Sequence, residues 1–125
     1  MNQQSAKESL ELARRHLQRV QAAWDEPTDW TDLTLFGFYC LEAAVVAAAE
    51  YLGWSIKRSH VAKAEAAERL SSEKGFPEIT NLLWELNDAR KAIAYGDVPF
   101  PNLKAEDVAF QVEKYVEAVE VLIEK

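Results

Sequence analysis

The sequence predicts an all-α fold, an antiparallel up-and-down bundle of about five helices built from one domain over residues 1–125. The composition is rich in Ala, Leu, Glu and Lys and contains only four Gly and four Pro, which favours helix. Apolar residues recur at helical spacing, and no stretch alternates as a half-buried strand does. Short connections join the predicted helices, so consecutive helices are expected to pack antiparallel.

The first two predicted helices are bounded by capping and breaking residues. "SAKE", Ser5 to Glu8, reads as a capping box that opens the first helix, and Pro27 ends it. The second helix begins near Thr28 or Asp29 and runs to Gly53, a suitable left-handed C-cap. Within it, small residues form a path for a close neighbour, either inside the bundle or at a dimer seam: Gly37, Ala44 and Ala48.

Three further helices follow. Ser59 is expected to cap the third helix, which stops before Gly75. Pro77 fits the first turn of the fourth helix, which ends at Gly96. "DVPFPN", residues 97–102, is predicted to be a loop, and the last helix begins near Ala105. The apolar residues of the last two helices recur at the spacing of one buried face.

Composition also predicts a cytoplasmic protein with no membrane partner. The single Cys40 lies in an apolar run, so it is expected to be a buried core residue, and the chain suits a reducing compartment. The polar start "MNQQSAKES" lacks the apolar region of a secretory signal. The apolar segment from Leu33 to Trp54 contains Glu42, Glu50 and much alanine, and is expected to fall short of a spanning helix.

The net charge of −7 argues against a non-specific coat for nucleic acid. The charge is nevertheless uneven, because residues 57–74 carry a net +2 whereas residues 25–56 carry −6. A local phosphate contact at Lys57, Arg58 and Lys63 is one interpretation, and a solvated helix face is the other.

Several chemistries lack their residues. The chain has no glycine-rich phosphate loop, no nucleophile elbow and no HExxH motif, and the Glu-x-x-His repeats of di-metal bundles are missing. His16 and His60 lie on different predicted helices, and His16 is expected to face solvent. The sequence therefore calls for no metal and no cofactor.

The stretch "LNDARKAIAYGD", Leu86 to Asp97, carries the sharpest candidate. Arg90 and Tyr95 are five residues apart, which separates them by about 140° around a regular helix and by about 7.5 Å along it. They could line one groove because both side chains are long. The alternative is structural, with Arg90 paired to a carboxylate and Tyr95 packed on a neighbouring helix.

Together with the apolar second helix "FYCLEAAVVAAAEYLGW", this stretch resembles the HEPN domain family (higher eukaryotes and prokaryotes nucleotide-binding) over most of the chain. The resemblance implies a helical bundle and, in members that cut RNA, metal-independent attack by a ribose 2′-hydroxyl on its own phosphate. It also implies an arginine and a histidine that meet across a homodimer. Arg90 matches the arginine and Lys91 the polar residue after it, with Asp88 as a further supporting or binding residue.

Tyr95 stands where the family has histidine. A phenol with a pKa of about 10 is a poor base near neutral pH, although it could orient a hydroxyl or donate to a phosphate oxygen. Arg90 could still hold a phosphate in its fork. The catalytic candidates are thus Arg90 and Tyr95, and any cleavage is expected to be weak.

Glu42 is nearly alone as an ionisable residue in its apolar segment, so its buried charge needs a partner. The second and fourth helices of a bundle can lie side by side, which makes Arg90 the expected partner. The pair would be structural within one subunit, or a site at a dimer seam if Glu42 only orients the arginine.

Two functions follow as expectations. The first is a HEPN-like protein of a prokaryotic toxin–antitoxin or anti-phage system that binds RNA, or cleaves it weakly without metal, as a homodimer. The second is a non-catalytic module that holds a partner protein, either a nucleotidyltransferase-fold antitoxin or a larger effector. A third interpretation is a small-ligand or nucleotide binder with a pocket near Trp54, Trp84 and Tyr95.

Overall fold

The computed structural model describes residues 3–96 and 103–124, and within these ranges it contains five helices and no strand. This confirms the all-α bundle that the sequence predicts. The predicted loop at residues 97–102 lies outside the described residues. The helices are α1 (Gln3–Ala23), α2 (Trp30–Leu52), α3 (His60–Lys74), α4 (Thr80–Ala94) and α5 (Ala105–Glu124).

Helix α2 is the centre of the bundle and packs against all four other helices. Because it is apolar on almost every side, most of its length is buried. Its ends follow the predicted signals. The Asp29 carboxylate accepts from the Asp32 amide at 3.0 Å, and Gly53 closes the helix in the left-handed region with φ 76°.

Helix α2 is also long and apolar enough to cross a membrane, with a mean hydropathy of 1.5 over its most apolar window. The expectation that this segment is too weakly apolar for a spanning helix was therefore wrong, because its length and composition are sufficient for one. Of that window, 67% is buried inside the bundle, as in the core helix of a soluble protein. The finding is weak evidence for a membrane span.

Helices α1 and α2 form an antiparallel pair. Near its middle, the Cys40 thiol donates to the Ala13 carbonyl at 3.2 Å, and near one end the Ser9 hydroxyl donates to Glu50 at 2.6 Å. Cys40 is fully buried, as expected, and burial raises the pKa of its thiol to about 12.

Two predicted helix starts were wrong. Helix α1 already includes Gln3, so Ser5 lies inside it and its hydroxyl donates to Glu50 of α2 instead of capping the helix. Helix α4 begins at Thr80, so Pro77 lies before the helix and not in its first turn. Helix α1 also ends at Ala23, before the predicted break. By contrast, Ser59 and Gly75 bound α3 as predicted.

The small-residue path of α2 makes contacts within the bundle. A methyl group on Gly37 would lie 3.5 Å from Leu86 Cδ1 of α4 and 3.7 Å from Val108 Cγ1 of α5. Ala44 and Ala48 are fully buried. Of the two interpretations, the interior contact is therefore the one found, and it brings α4 close to α2 beside Phe38.

Candidate functional site

Arg90 is half-buried near the end of α4 and is held by its own helix. Its Nε and Nη2 atoms donate to Oδ1 of Asn87 at 3.3 and 2.8 Å, and Asn87 is only 2% exposed. Within the described residues, Arg90 forms no ion pair. A guanidinium group has five N–H donors, so most remain available to water or to a ligand. Asn87 therefore fixes the orientation of Arg90 without neutralising it.

The Phe38 ring links Arg90 to a histidine on another helix. Cζ of Arg90 lies 5.2 Å from the centroid of this buried ring, within the range of a cation–π contact. The His60 ring packs on the same phenyl group, edge to face, with centroids 5.1 Å apart and an interplanar angle of 65°. Residues from α2, α3 and α4 thus meet at one ring.

His60 is oriented by a buried carboxylate. Its Nδ1 atom lies 2.7 Å from Oε2 of Glu42, which is 7% exposed, whereas about half of the imidazole side chain is exposed. An ionised carboxylate can only accept, so Nδ1 carries the proton of this bond. In the neutral imidazole, Nε2 is then the acceptor, which is the arrangement of a general base.

A lysine completes the surroundings of Glu42. Nζ of Lys63 lies 3.5 Å from Oε1, one helical turn beyond His60. The Ser59 side chain caps α3 by accepting from the Ala62 amide at 3.0 Å, which sets the first turn carrying His60 and Lys63. We call Asn87, Arg90, Phe38, His60 and Glu42 together the Arg90–His60 site.

The predicted pairing of Glu42 with Arg90 is not found, because the partners of Glu42 are His60 and Lys63. The prediction that α2 and α4 lie side by side was right, but the residue of α2 beside Arg90 is Phe38. Glu42, one turn further along α2, reaches the start of α3. A pairing signal was present in the sequence, since the histidine and lysine are three residues apart and share one face of their helix.

Tyr95 does not join this site. It ends α4 as the C-cap residue and is 84% exposed, whereas Arg90 lies against the bundle. This agrees with the rotation of about 140° between positions five apart. Asp88 and Lys91, the supporting candidates, are exposed on the outer side of α4. The roles of these three residues stay predictions.

His16 is not simply solvent-facing. It is half-buried, with its ring 5.8 Å from Phe36 and 5.9 Å from Tyr39 between centroids. Burial, together with the charges of Arg15 and Arg19, lowers the pKa of this histidine. Among the residues that the structure describes, no group of three His, Cys, Asp or Glu side chains could hold a metal ion.

Comparison with protein-family models, with curated proteins and with solved structures found no match to this chain.

Proposed function

We propose that this protein is a HEPN-like RNA-binding bundle with weak, metal-independent ribonuclease activity, acting as a homodimer. The observation that supports it most is the half-buried Arg90, which has no acidic partner among the described residues and shares the Phe38 ring with a carboxylate-oriented histidine. A fixed guanidinium group without a carboxylate suits a phosphodiester, which it can bind in a fork.

The site also supplies a base. Nε2 of His60 would accept the proton of a ribose 2′-hydroxyl while the 2′-oxygen attacks the adjacent phosphorus. Arg90 would stabilise the charge on the phosphoryl oxygens, and the departing 5′-oxygen would take a proton from water. The products are a 2′,3′-cyclic phosphate and a 5′-hydroxyl end. His60 replaces Tyr95 as the base in this proposal, because its Nε2 has a free lone pair beside Arg90, whereas Tyr95 lies outside the site.

The outer face of α4 supports the homodimer. Trp84, Asp88, Lys91 and Tyr95 recur at helical spacing on one exposed side, with the two aromatic residues 37% and 84% exposed. Two copies of α4 crossing antiparallel about a two-fold axis would place Trp84 opposite Tyr95 and Asp88 opposite Lys91. The face is thus complementary to itself in charge and places aromatic residues opposite each other, as suits a two-fold interface.

Cleavage is tested on RNA in chelator-containing buffer, with wild type beside His60→Asn and Arg90→Gln. Asparagine can still donate an N–H to Glu42 from the position of Nδ1, but it has no atom that corresponds to Nε2. We expect cleavage to fall about 10²–10⁴-fold in His60→Asn, with RNA binding retained. Arg90→Gln should lose affinity, since glutamine keeps a donor for Asn87 but not the charge.

Tyr95→Phe and Lys114→Ala are the controls, the second removing an exposed charge on α5, and both should cleave as wild type does. RNA cleavage that is unchanged in His60→Asn would assign it to a contaminant or to another site. Absence of RNA binding by the wild type would overturn the proposal.

The dimer is tested by light scattering on charge reversals. Asp88→Lys and Lys91→Asp should each place like charges opposite each other and shift the protein towards monomer. The double variant restores the opposite-charge pairs and should dimerise again. A monomeric wild type, or single reversals that stay dimeric, would remove this face from the proposal.

A further inference from the structure

A cavity of about 760 Å³ lies between the start of α1, the end of α2 and the segment that joins α2 to α3. Its volume lies in the range of sites that enclose a small organic ligand. It is separate from the Arg90 guanidinium, and the chemistry proposed above does not use it. Its lining combines three features: an aromatic ring, a group of cations, and a carboxylate that accepts hydrogen bonds from two serine hydroxyls. We call it the Trp54 cavity.

The cations are Lys57, Arg58 and Lys63. Lys57 and Arg58 are exposed and form no ion pair with any described residue. Lys63 is shared with Glu42 at 3.5 Å, a long contact that leaves ammonium N–H groups for another partner. Three cations converging on one cavity, in a chain of net charge −7, predict an anionic ligand.

The acidic residue of the cavity, Glu50, does not cancel this group. One carboxylate oxygen accepts from the Ser9 hydroxyl at 2.6 Å and the other accepts from the Ser5 hydroxyl. These hydroxyls stabilise the carboxylate in place, on the α1 side of the cavity, while Lys57 and Arg58 belong to the connecting segment. Each carboxylate oxygen keeps a second lone pair, so a ligand could present an anion to the segment and hydroxyl groups to Glu50.

Trp54 supplies a flat surface. Arg69 covers one face of its indole ring, with Cζ 3.7 Å from the ring centroid, which fixes the ring in place. The same tryptophan lines the Trp54 cavity, so a ligand there would meet the ring edge or its opposite face. Planar rings stack on indole, and the stacking does not depend strongly on which heterocycle is bound.

From these features we propose that the Trp54 cavity binds a phosphorylated ligand that carries a planar ring and hydroxyl groups, of the size of a nucleoside monophosphate. The phosphate lies at Lys57 and Arg58, with Lys63 beside it, and the ring packs on Trp54. The same chemistry occurs in a free mononucleotide and in the 5′-phosphorylated end of an RNA strand.

The test is calorimetric titration of the full chain with adenosine monophosphate, adenosine and inorganic phosphate. We expect saturable binding of the monophosphate and at least about tenfold weaker binding of the other two, since each lacks one of the two contacts. The double variant Lys57→Ala, Arg58→Ala should bind the monophosphate about tenfold to a hundredfold more weakly than wild type. Lys7→Ala with Lys114→Ala removes the same charge elsewhere on the surface and should have little effect.

Two further measurements separate the sources and the two sites. A short RNA with a 5′-phosphate competes with adenosine monophosphate for the cavity if the terminal nucleotide is the ligand, and its 5′-hydroxyl form does not. Arg90→Gln should leave monophosphate binding intact. Monophosphate binding at the Trp54 cavity can therefore hold even if the RNA proposal for the Arg90–His60 site fails. Equal binding by the two double variants, or no binding of the monophosphate by wild type, would overturn it.

Discussion

Glu42 and Arg90 are both charged residues set against the apolar interior, and their surroundings differ in kind. The Glu42 carboxylate is almost fully buried and has two hydrogen-bonding partners, His60 and Lys63, of which the lysine is a cation. The Arg90 guanidinium is half-buried and is held by a neutral amide and an aromatic ring. The first arrangement balances a charge inside the protein, whereas the second keeps a charge oriented but unbalanced.

The difference teaches where binding energy is available. A buried carboxylate requires partners to offset its desolvation, so His60 and Lys63 contribute to folding whatever else they do. Arg90 should make a smaller contribution to folding, and its charge has no acidic partner among the described residues. His60 belongs to both regions, since one of its nitrogens serves Glu42 while its ring packs on Phe38 with Arg90.

The largest expected effect comes from removing both partners of Glu42. His60→Ala with Lys63→Ala leaves a carboxylate buried without compensation, which should lower the free energy of unfolding by about 3–5 kcal/mol. Urea unfolding at neutral pH measures this. Adding Glu42→Leu to the same variant should recover much of the loss, because no buried charge then remains. A double variant as stable as wild type would show that Glu42 is not balanced by these residues.

Phe38→Leu tests whether one ring connects the two regions. The side chain is 1% exposed, so its shortening should cost about 2 kcal/mol, less than the 3–5 kcal/mol of a Phe→Ala change. Loss of the ring should also weaken RNA binding, because both Arg90 and His60 pack on it. Leu41→Ala, a change in the same helix and core, serves as the control. If both variants bind RNA equally at matched stability, the ring has no role in the site.

Arg90→Ala should cost only about 1 kcal/mol of stability. It removes a cation–π contact and leaves Oδ1 of Asn87 without its donor. Arg90→Gln, which keeps a donor, should cost less still. Thermal and urea unfolding of the two variants provide the measurement. A loss comparable with that of the His60→Ala, Lys63→Ala variant would mean that Arg90 is a structural residue, as the partners of Glu42 are.

Much of the fold could be predicted because its boundaries depend on local chemistry. Asp29, Ser59 and Gly75 end or begin helices through contacts with their own neighbours in sequence, so the sequence alone contains the signal. The capping box predicted at Ser5 was wrong for the opposite reason, because the Ser5 hydroxyl donates to Glu50 on another helix. A capping pattern cannot show that a tertiary contact will use the residue.

The site could be predicted only in part, for a related reason. Arg90 could be singled out because the stretch from Leu86 to Asp97 resembles the HEPN motif, but its neighbours depend on how α2, α3 and α4 are placed along one another. A shift of one helical turn along α2 exchanges Phe38 for Glu42, and helical periodicity is the same for both. The pairing of Glu42 with the start of α3 is therefore a result of packing that one sequence does not specify.

The smallest expected effect concerns the other histidine, His16, which forms no ion pair with any residue that the structure describes. Burial first, and then the charges of Arg15 and Arg19, lower its pKa, so the folded chain binds this proton less readily than the unfolded chain. As pH falls through about 6.5, the ordinary value, stability should decline until the lowered pKa of the folded state is passed. His16→Gln should remove that part of the decline and leave stability above neutral pH nearly unchanged. Urea unfolding of both proteins at about pH 5 and pH 8 measures the difference between the two slopes. A slope that is the same in the variant would show that His16 takes up its proton equally well in both states, as a solvent-facing histidine would.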